Sequence, residues 1–516
     1  MVNSRWIDTS MSPGRPALDF IREECGLKGT KAGCREGDCG SCAVLVGEFA
    51  AAGQAPGEHG PAGSHTGNPN ALLRYRAVPS CLLALGDLAG RHLVTIEGLR
   101  EATGDAEGLT PVMRAFIEEN ASQCGFCTPG FIIALSAWLA KPGKPELAGA
   151  MTAIDGNLCR CTGYGSIRRA AERLVKEFAD LEREDGKKSP EQALLPARLV
   201  SLVLRNVLPG SVMEFARTAV LTESSAPAIV GRTESGPLLG GGTDYFVRNP
   251  YPEADFSPVL LKRSGRNNRI ETVMSDGSPR IRVGSTVSVS DFFCSPLVRD
   301  AVPGIERFEP LFASTLVRNL ATIGGNIANA SPVADMTAML LGLGAVLELE
   351  QPRGRPGTIP LSRFFLGYKT TALDKDQLIS GIFLPGPRSD APLHFSFEKI
   401  SKRTTLDIAA VNTALSFRFI AGRAREVCLS AGGVAPVPLL LEKASAAMEG
   451  ESIDEDDPVA LARLARTVAE AAAAEASPIS DVRGSAEYRK RMLGRLVQAH
   501  FLRIFEASGI AGELYP

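Results

Sequence analysis

The sequence holds eleven cysteines, and nine of them lie in its first 161 residues. Clustered cysteines in a chain with no secretory signature point to metal binding rather than disulfides, because a reducing compartment keeps thiols free. Cys34, Cys39 and Cys42 follow a C-x4-C-x2-C spacing, and Cys81 stands further on. Three thiolates from one tight loop and a fourth from a later segment can surround two irons, and this is the spacing of a plant-type 2Fe-2S site. Gly33, Gly37 and Gly40 let the loop fold back so that its amides face the anionic cluster sulfurs. The other chemistry open to four cysteines is zinc, which usually uses two short C-x2-4-C pairs.

A second set, Cys124-x2-Cys127 and Cys159-x-Cys161, consists of two separated pairs and on spacing alone is open between zinc and iron-sulfur. Its placement in turns between helices favours the cluster, since helix N-terminal N–H groups stabilise an anion. Cys25, Cys294 and Cys428 match neither set and read as free buried thiols.

Two glycine-rich turns lie downstream: Leu238, Leu239, Gly240, Gly241, Gly242, Thr243, Asp244, Tyr245, and Thr322, Ile323, Gly324, Gly325, Asn326. Glycines at a strand end let amides approach a pyrophosphate. Neither is G-x-G-x-x-G, so the Rossmann fingerprint is absent, and each alone reads as an ordinary turn. As a pair behind two electron-transfer clusters they point to a flavin. Asp335 suits a ribose or ribityl hydroxyl, or else the first turn of a helix. The five histidines form no H-E-x-x-H pair, and no G-x-S-x-G elbow supports a hydrolytic triad.

The elements that must hold these residues divide the chain. Residues 1–100 form a small β-rich unit, with a helix over Ala17 to Cys25 and strands over Cys42 to Phe49, Leu73 to Pro79 and His92 to Leu99. Ala51 to Asn70, rich in Gly, Pro and small polar residues, reads as a surface insertion. Residues 108–182 carry four helices: two start at Thr110-Pro111 and Thr128-Pro129, where Thr caps and Pro gives up an unpartnered donor. A third begins near Pro145, and the fourth follows Tyr164 with Ile167, Ala171, Leu174, Val175 and Phe178 on one face. Residues 183–204 are expected to be a linker, most of it in the charged run Leu181 to Pro196. Residues 205–387 read as α+β, with a hairpin turning at Asp276-Gly277, helices over Pro310 to Val317 and Pro332 to Leu343, and a strand at Val346 to Glu350. Residues 392–510 read as a further α+β domain with strands at His394 to Ser401, Ala409 to Ile420 and Glu426 to Gly432 and helices at Pro458 to Ala474 and Glu487 to Phe505.

A chain of 516 residues with 56 Lys+Arg against 58 Asp+Glu has no basic excess for nucleic acid. Its longest apolar stretches fall short of the ~20 residues that span a bilayer, and the absence of an apolar leader makes the cytoplasm the expected location.

Gly29 to Val44 (GTKAGCREGDCGSCAV), Ser122 to Phe131 (SQCGFCTPGF) and Gly156 to Tyr164 (GNLCRCTGY) resemble the iron-sulfur half of the xanthine dehydrogenase and aldehyde oxidase family of molybdenum hydroxylases. Arg318 to Met336 resembles that family's FAD-binding segment. The resemblance implies a multidomain α+β protein: a β-grasp ferredoxin-like domain, a four-helix iron-sulfur domain, an α+β FAD-binding domain of the vanillyl-alcohol-oxidase type and a C-terminal α+β domain. It implies two 2Fe-2S clusters on the eight cysteines, and FAD held at Leu238 to Tyr245, Phe312, Thr322 to Asn326, Asp335, Leu378 and Lys399, with Lys399 near the ring. Gln123 and Cys161 would face the molybdopterin cofactor of a partner large subunit, in an assembly of two small and two large subunits. Electrons would run from molybdenum through both clusters to FAD and then NAD+. Relative to the family pattern, the sheet lacks a strand before Arg5 to Thr9, and Thr404-Thr405-Leu406 differs where the acceptor binds.

Overall fold

A computed structural model describes residues 1–49, 72–101, 108–189, 192–221, 236–265, 267–275, 277–351 and 356–515. The insertion Ala51 to Asn70, with His59 and His65, and Asp276 lie outside these residues. The chain forms two compact units, Met1–Gly265 with Ala313–Ala321, and Arg266–Phe312 with Thr322–Pro516.

In the first unit, the strand Ala43–Phe49 pairs antiparallel with Leu73–Pro79 on one side and His92–Val94 on the other. Successive side chains of a strand point to opposite faces, so Ala43 and Leu45 enter one core while Val44 and Val46 enter a second. The sheet is therefore apolar on both faces. Its first core holds the helices; its second holds Cys42, Cys81 and Leu82.

The third strand is shorter than expected. Thr95 gives its N–H to the Asn3 side chain at 2.9 Å instead of a neighbouring strand, and Ile96–Arg100 turns into a helix. Arg5 to Thr9 forms no strand either; Val2 makes isolated bridges to Leu93 and to Arg5, and Trp6 beyond them is exposed. The Ala17 to Cys25 helix is a turn of α-helix, Ala17–Asp19, continuing as a π-helix over Phe20–Glu24.

The four expected helices are Pro111–Glu118, Thr128–Ala140, Leu147–Ala153 and Gly165–Glu177. Thr110 accepts from the Met113 N–H at 3.2 Å, as a capping Thr should. Thr128 does not cap: it is the first helical residue, after Cys127, and its hydroxyl pairs with that of Ser122 at 2.8 Å.

Residues 183–204 are not a bare linker. Two short strands, Lys188–Ser189 and Gln192–Pro196, lead into the helix Ala197–Leu204, and Leu195, Leu199 and Leu202 are buried in the helical core. Buried Arg198 makes this possible by giving its donors to the Leu139 carbonyl at 2.8 Å and Asp185 at 2.9 Å. The next helix, Ser211–Leu221, adds Val212 and Phe215 to the same core, so the start of the expected FAD-binding stretch packs with the iron-sulfur elements.

The second unit contains a five-stranded antiparallel sheet in the order Gly357–Pro360, Val346–Glu350, Leu378–Pro385, Ser278–Gly284, Ile270–Ser275. The expected hairpin is its edge pair, with Gly277 at φ +76°. A second antiparallel sheet runs Leu393–Ile400, Val411–Ile420, Arg423–Gly432, Leu439–Leu440. The helices Pro458–Glu475 and Ala486–Ile504 cover it, burying Leu461, Val468, Leu493, Val497 and Phe501 against Leu415, Phe417 and Leu429. Pro310 to Val317 is not one helix. A 3-10 helix, Ile305–Leu311, is followed by extended Phe312, and a separate turn, Thr315–Arg318, starts from its own cap at Ser314. The Pro332 to Leu343 helix begins only at Asp335, because Ala334 is extended.

Candidate iron-sulfur and flavin sites

All eight predicted ligand cysteines fall in the first unit, and their thiols meet in pairs. Cys42 and Cys81 lie 3.3 Å apart, Cys34 hydrogen-bonds Cys39, Cys127 hydrogen-bonds Cys159, and Cys124 hydrogen-bonds Cys161. A shared proton pulls Cys39 down to about 5 and pushes Cys34 up; in the same way Cys42 is lowered and Cys81 raised. Two thiols here and two there is the donor arrangement of a two-iron cluster, in which each iron takes two protein sulfurs. The residues present therefore fit the 2Fe-2S group.

The first loop is built to approach sulfur closely. Gly37 and Gly40 sit at φ +80° and +64°, and a Cβ on Gly33 would lie 2.8 Å from the Cys39 sulfur. The N–H groups of Cys34 and Glu36 point at the sulfurs of Cys39 and Cys34, at 3.5 and 3.3 Å. In the second set, Thr162 aims its hydroxyl at the Cys159 sulfur at 3.2 Å and its N–H at 3.5 Å. Burial raises Cys159, but these bonds outweigh it and hold the thiol below its ordinary value. Burial, reinforced by the bond to Cys159, pushes Cys127 up to about 12.

The two loops interlock. The Leu158 N–H donates to the Cys39 carbonyl at 3.0 Å, and Asn157 Nδ2 donates to the Gly40 carbonyl at 3.3 Å. Gly130 has to be glycine, since its Cβ would lie 2.3 Å from the Gly40 oxygen. Asn157, one residue short of the cysteine motif, was not singled out from sequence; only its place in GNLCRC hinted at it. Gln123, Cys124, Phe126 and Cys161 are exposed around the second set.

The predicted flavin positions divide between the units. In the first, Leu238–Leu239 pairs parallel with Val259–Leu260 and leads through the glycines into the helix Thr243–Arg248. Gly242, at φ +74°, would place a Cβ 3.2 Å from the Leu82 carbonyl, and Tyr245 stacks on Phe256 at 4.7 Å. In the second, Thr322 caps the helix Ile323–Ala328 by accepting from the Gly325 N–H at 3.1 Å. Gly324 donates its N–H to the Ser285 carbonyl at 2.8 Å. Ser285 Oγ and Thr286 Oγ1 are buried there without a hydrogen-bond partner, and hydroxyls left over beside a glycine turn suit the oxygens of a nucleotide.

Asp335 and Lys399 form a buried ion pair at 2.7 Å. Lys399 also donates to the carbonyls of Leu311 and Asp407, each at 2.7 Å, which fills its three donors. The second Asp335 oxygen accepts from Asn412 at 2.6 Å. Burial raises the Asp335 carboxyl despite these partners. The pair thus ties three segments of the second unit together, and sequence gave no sign of Asn412. Phe312 is buried and extended, and Leu378 opens a strand of the five-stranded sheet.

Four family models match in chain order. They are described as 2Fe-2S iron-sulfur cluster binding domain, residues 1–66; 2Fe-2S binding domain, residues 95–172; FAD binding domain in molybdopterin dehydrogenase, residues 209–387; and CO dehydrogenase flavoprotein C-terminal domain, residues 396–504. Xanthine dehydrogenase of Emericella nidulans is 27% identical over 88% of this chain and 35% of that protein. Xanthine dehydrogenase of Drosophila subobscura is 26% identical over 99% of this chain and 39% of that protein. A nicotinate hydroxylase of Emericella nidulans is 26% identical over 86% and 36%. The chain spans between a third and two-fifths of the length of these relatives. Among solved structures, carbon monoxide dehydrogenase from Hydrogenophaga pseudoflava aligns with 27% identity and a TM-score of 0.46, over 53% of this chain and 90% of that one. The chain carries the two 2Fe-2S domains and the FAD-binding domain of the molybdenum hydroxylase family.

Proposed function

We propose that this chain is the electron-transfer part of a cytoplasmic xanthine dehydrogenase, working with a molybdopterin-binding large subunit and NAD+ as acceptor. When bound, two 2Fe-2S clusters pass electrons singly and FAD delivers them in pairs as hydride. Cys124, Cys127, Cys159 and Cys161 hold the cluster facing the partner. Cys34, Cys39, Cys42 and Cys81 hold the inner one. Leu238 to Tyr245 in the first unit, and Phe312, Thr322 to Asn326, Asp335, Leu378 and Lys399 in the second, are the positions assigned to the flavin, with Asp335 and Lys399 acting by fixing the backbone of the second unit.

The observation that carries the reading is the hydrogen bond from Leu158 N–H to the Cys39 carbonyl, 3.0 Å, which joins the two cysteine loops within a few bonds of sulfur on each side. Such contact places the two sets close enough for transfer between carriers. The test is anaerobic addition of NADH to the purified chain: bleaching of flavin and both clusters supports the reading, whereas reduction by dithionite alone rules out NAD+. Isolation with its large subunit and assay on xanthine then tests the substrate. A second reading, oxidation of a nicotinate-like heterocycle, is favoured by the nicotinate hydroxylase matching at nearly the same identity as the xanthine dehydrogenases; turnover of nicotinate without xanthine would select it.

A further inference from the structure

Arg35 stands directly after Cys34 and is no ligand, yet the structure fixes it firmly. Its φ of +59° lies in the left-handed region that side chains rarely adopt, and such strain is kept where the surroundings demand it. Its guanidinium donates to Asp19 at 2.6 Å and to the Pro250 carbonyl at 3.1 Å, and lies 4.4 Å from the centre of the Tyr251 ring. The side chain is 15% exposed and Asp19 is 2% exposed. Asp19 does not cancel the charge, because Arg15 binds the same carboxylate at 3.2 Å, leaving two cations on one anion. Glu36 and Asp38, the acids of the loop itself, are exposed to solvent screening. Arg35 is within electrostatic reach of Cys81, the ligand furthest from it along the chain.

One-electron reduction adds negative charge to a cluster that is already anionic. A fixed, mostly buried cation stabilises the reduced form and so raises the potential. We propose that Arg35 is a positioning residue that raises the reduction potential of the cluster held by Cys34, Cys39, Cys42 and Cys81, drawing electrons inward from the second set; this rests on the electron-transfer reading above. The same side chain ties the cluster loop to Pro250 and Tyr251, just beyond the helix that follows the first glycine turn.

The test is a potentiometric titration of the chain followed by low-temperature EPR, with the two signals assigned by Cys161→Ser, which removes a ligand of the second set only. Arg35→Gly takes away the charge while giving the φ of +59° to the residue most at home there, so the loop is not strained. The expected result is a lower midpoint for the inner cluster with the outer unchanged, and recovery of most of the shift in Arg35→Lys. Tyr251→Leu, which keeps the charge but loosens it, should move the midpoint less and in the same direction, and decides the matter if Arg35→Gly takes up less iron. An unchanged inner midpoint, or equal shifts in the Gly and Lys variants, would overturn the inference. A wild-type chain that holds no 2Fe-2S cluster would instead sink the functional reading itself.

Discussion

Cys42 and Cys81 are each 2% exposed inside a core behind a three-stranded sheet, whereas Cys124 and Cys161 are exposed at turns between helices. The difference shows how one sulfur chemistry can be set in two ways. The inner ligands are part of the fold, placed by strand register and by glycines that admit backbone close to sulfur. The outer set is carried by helix ends and leaves Cys124 and Cys161 open to solvent.

The largest expected consequence is a split between iron content and stability. Cys81→Ser should lose half the iron and unfold well below the wild type, because it puts an unpaired hydroxyl into a core, worth about 1–3 kcal/mol, and removes the metal crosslink. Cys161→Ser should lose the other half of the iron with little change in melting temperature. Equal melting temperatures in the two variants would erase the distinction between inner and outer sets.

Lys399→Met extends the comparison to the second unit, where burial again raises the stakes. It leaves Asp335 charged and unpaired, at a cost of about 3–5 kcal/mol in urea unfolding and with loss of bound FAD. Adding Asp335→Asn should recover most of that stability.

Each unit also buries a neutral histidine. Burial lowers His500 to about 3 between Thr413 and Ser396, and His92 to about 4 beside Tyr75 and Asn3. The folded value is depressed in both, so their contribution is complete above the unfolded value of about 6.5 and drains away as pH falls toward the folded one, at no more than about 1.4 kcal/mol per pH unit for each. His500→Gln should flatten the acid limb of the second unit's unfolding curve and leave that of the first unit steep.

The smallest effect is the most specific. Asn157→Ala should cost about 0.5–1.5 kcal/mol for its hydrogen bond while leaving both clusters in place, and should weaken the magnetic coupling between them.

Sequence went furthest where the controlling interactions are local. Cysteine spacing marked out the two candidate sets, and alternating or helical periodicity located strands such as Leu73–Pro79 and helices such as Pro458–Glu475. It failed where a distant partner decides. His92 to Leu99 reads as one strand until the Asn3 side chain takes the Thr95 N–H. Residues 183–204 read as a linker on the charges of their first half, although Leu195, Leu199 and Leu202 recur at the i, i+4, i+7 steps of a helix face; what no local pattern shows is that Arg198 finds an acceptor as far off as Leu139. At the flavin positions the sequence offered Asp335 and Lys399 as separate groups, and only the fold brings them into one buried pair with Asn412.

The most direct measurement is low-temperature EPR of the dithionite-reduced chain, purified without oxygen, with iron, acid-labile sulfide, zinc and FAD counted on the same sample. Two interlocked 2Fe-2S sites predict four irons, four sulfides and one FAD per chain, and two signals that broaden each other because the Leu158 N–H reaches the Cys39 carbonyl. Zinc in either set, or two signals with no mutual coupling, would contradict a path that runs through both.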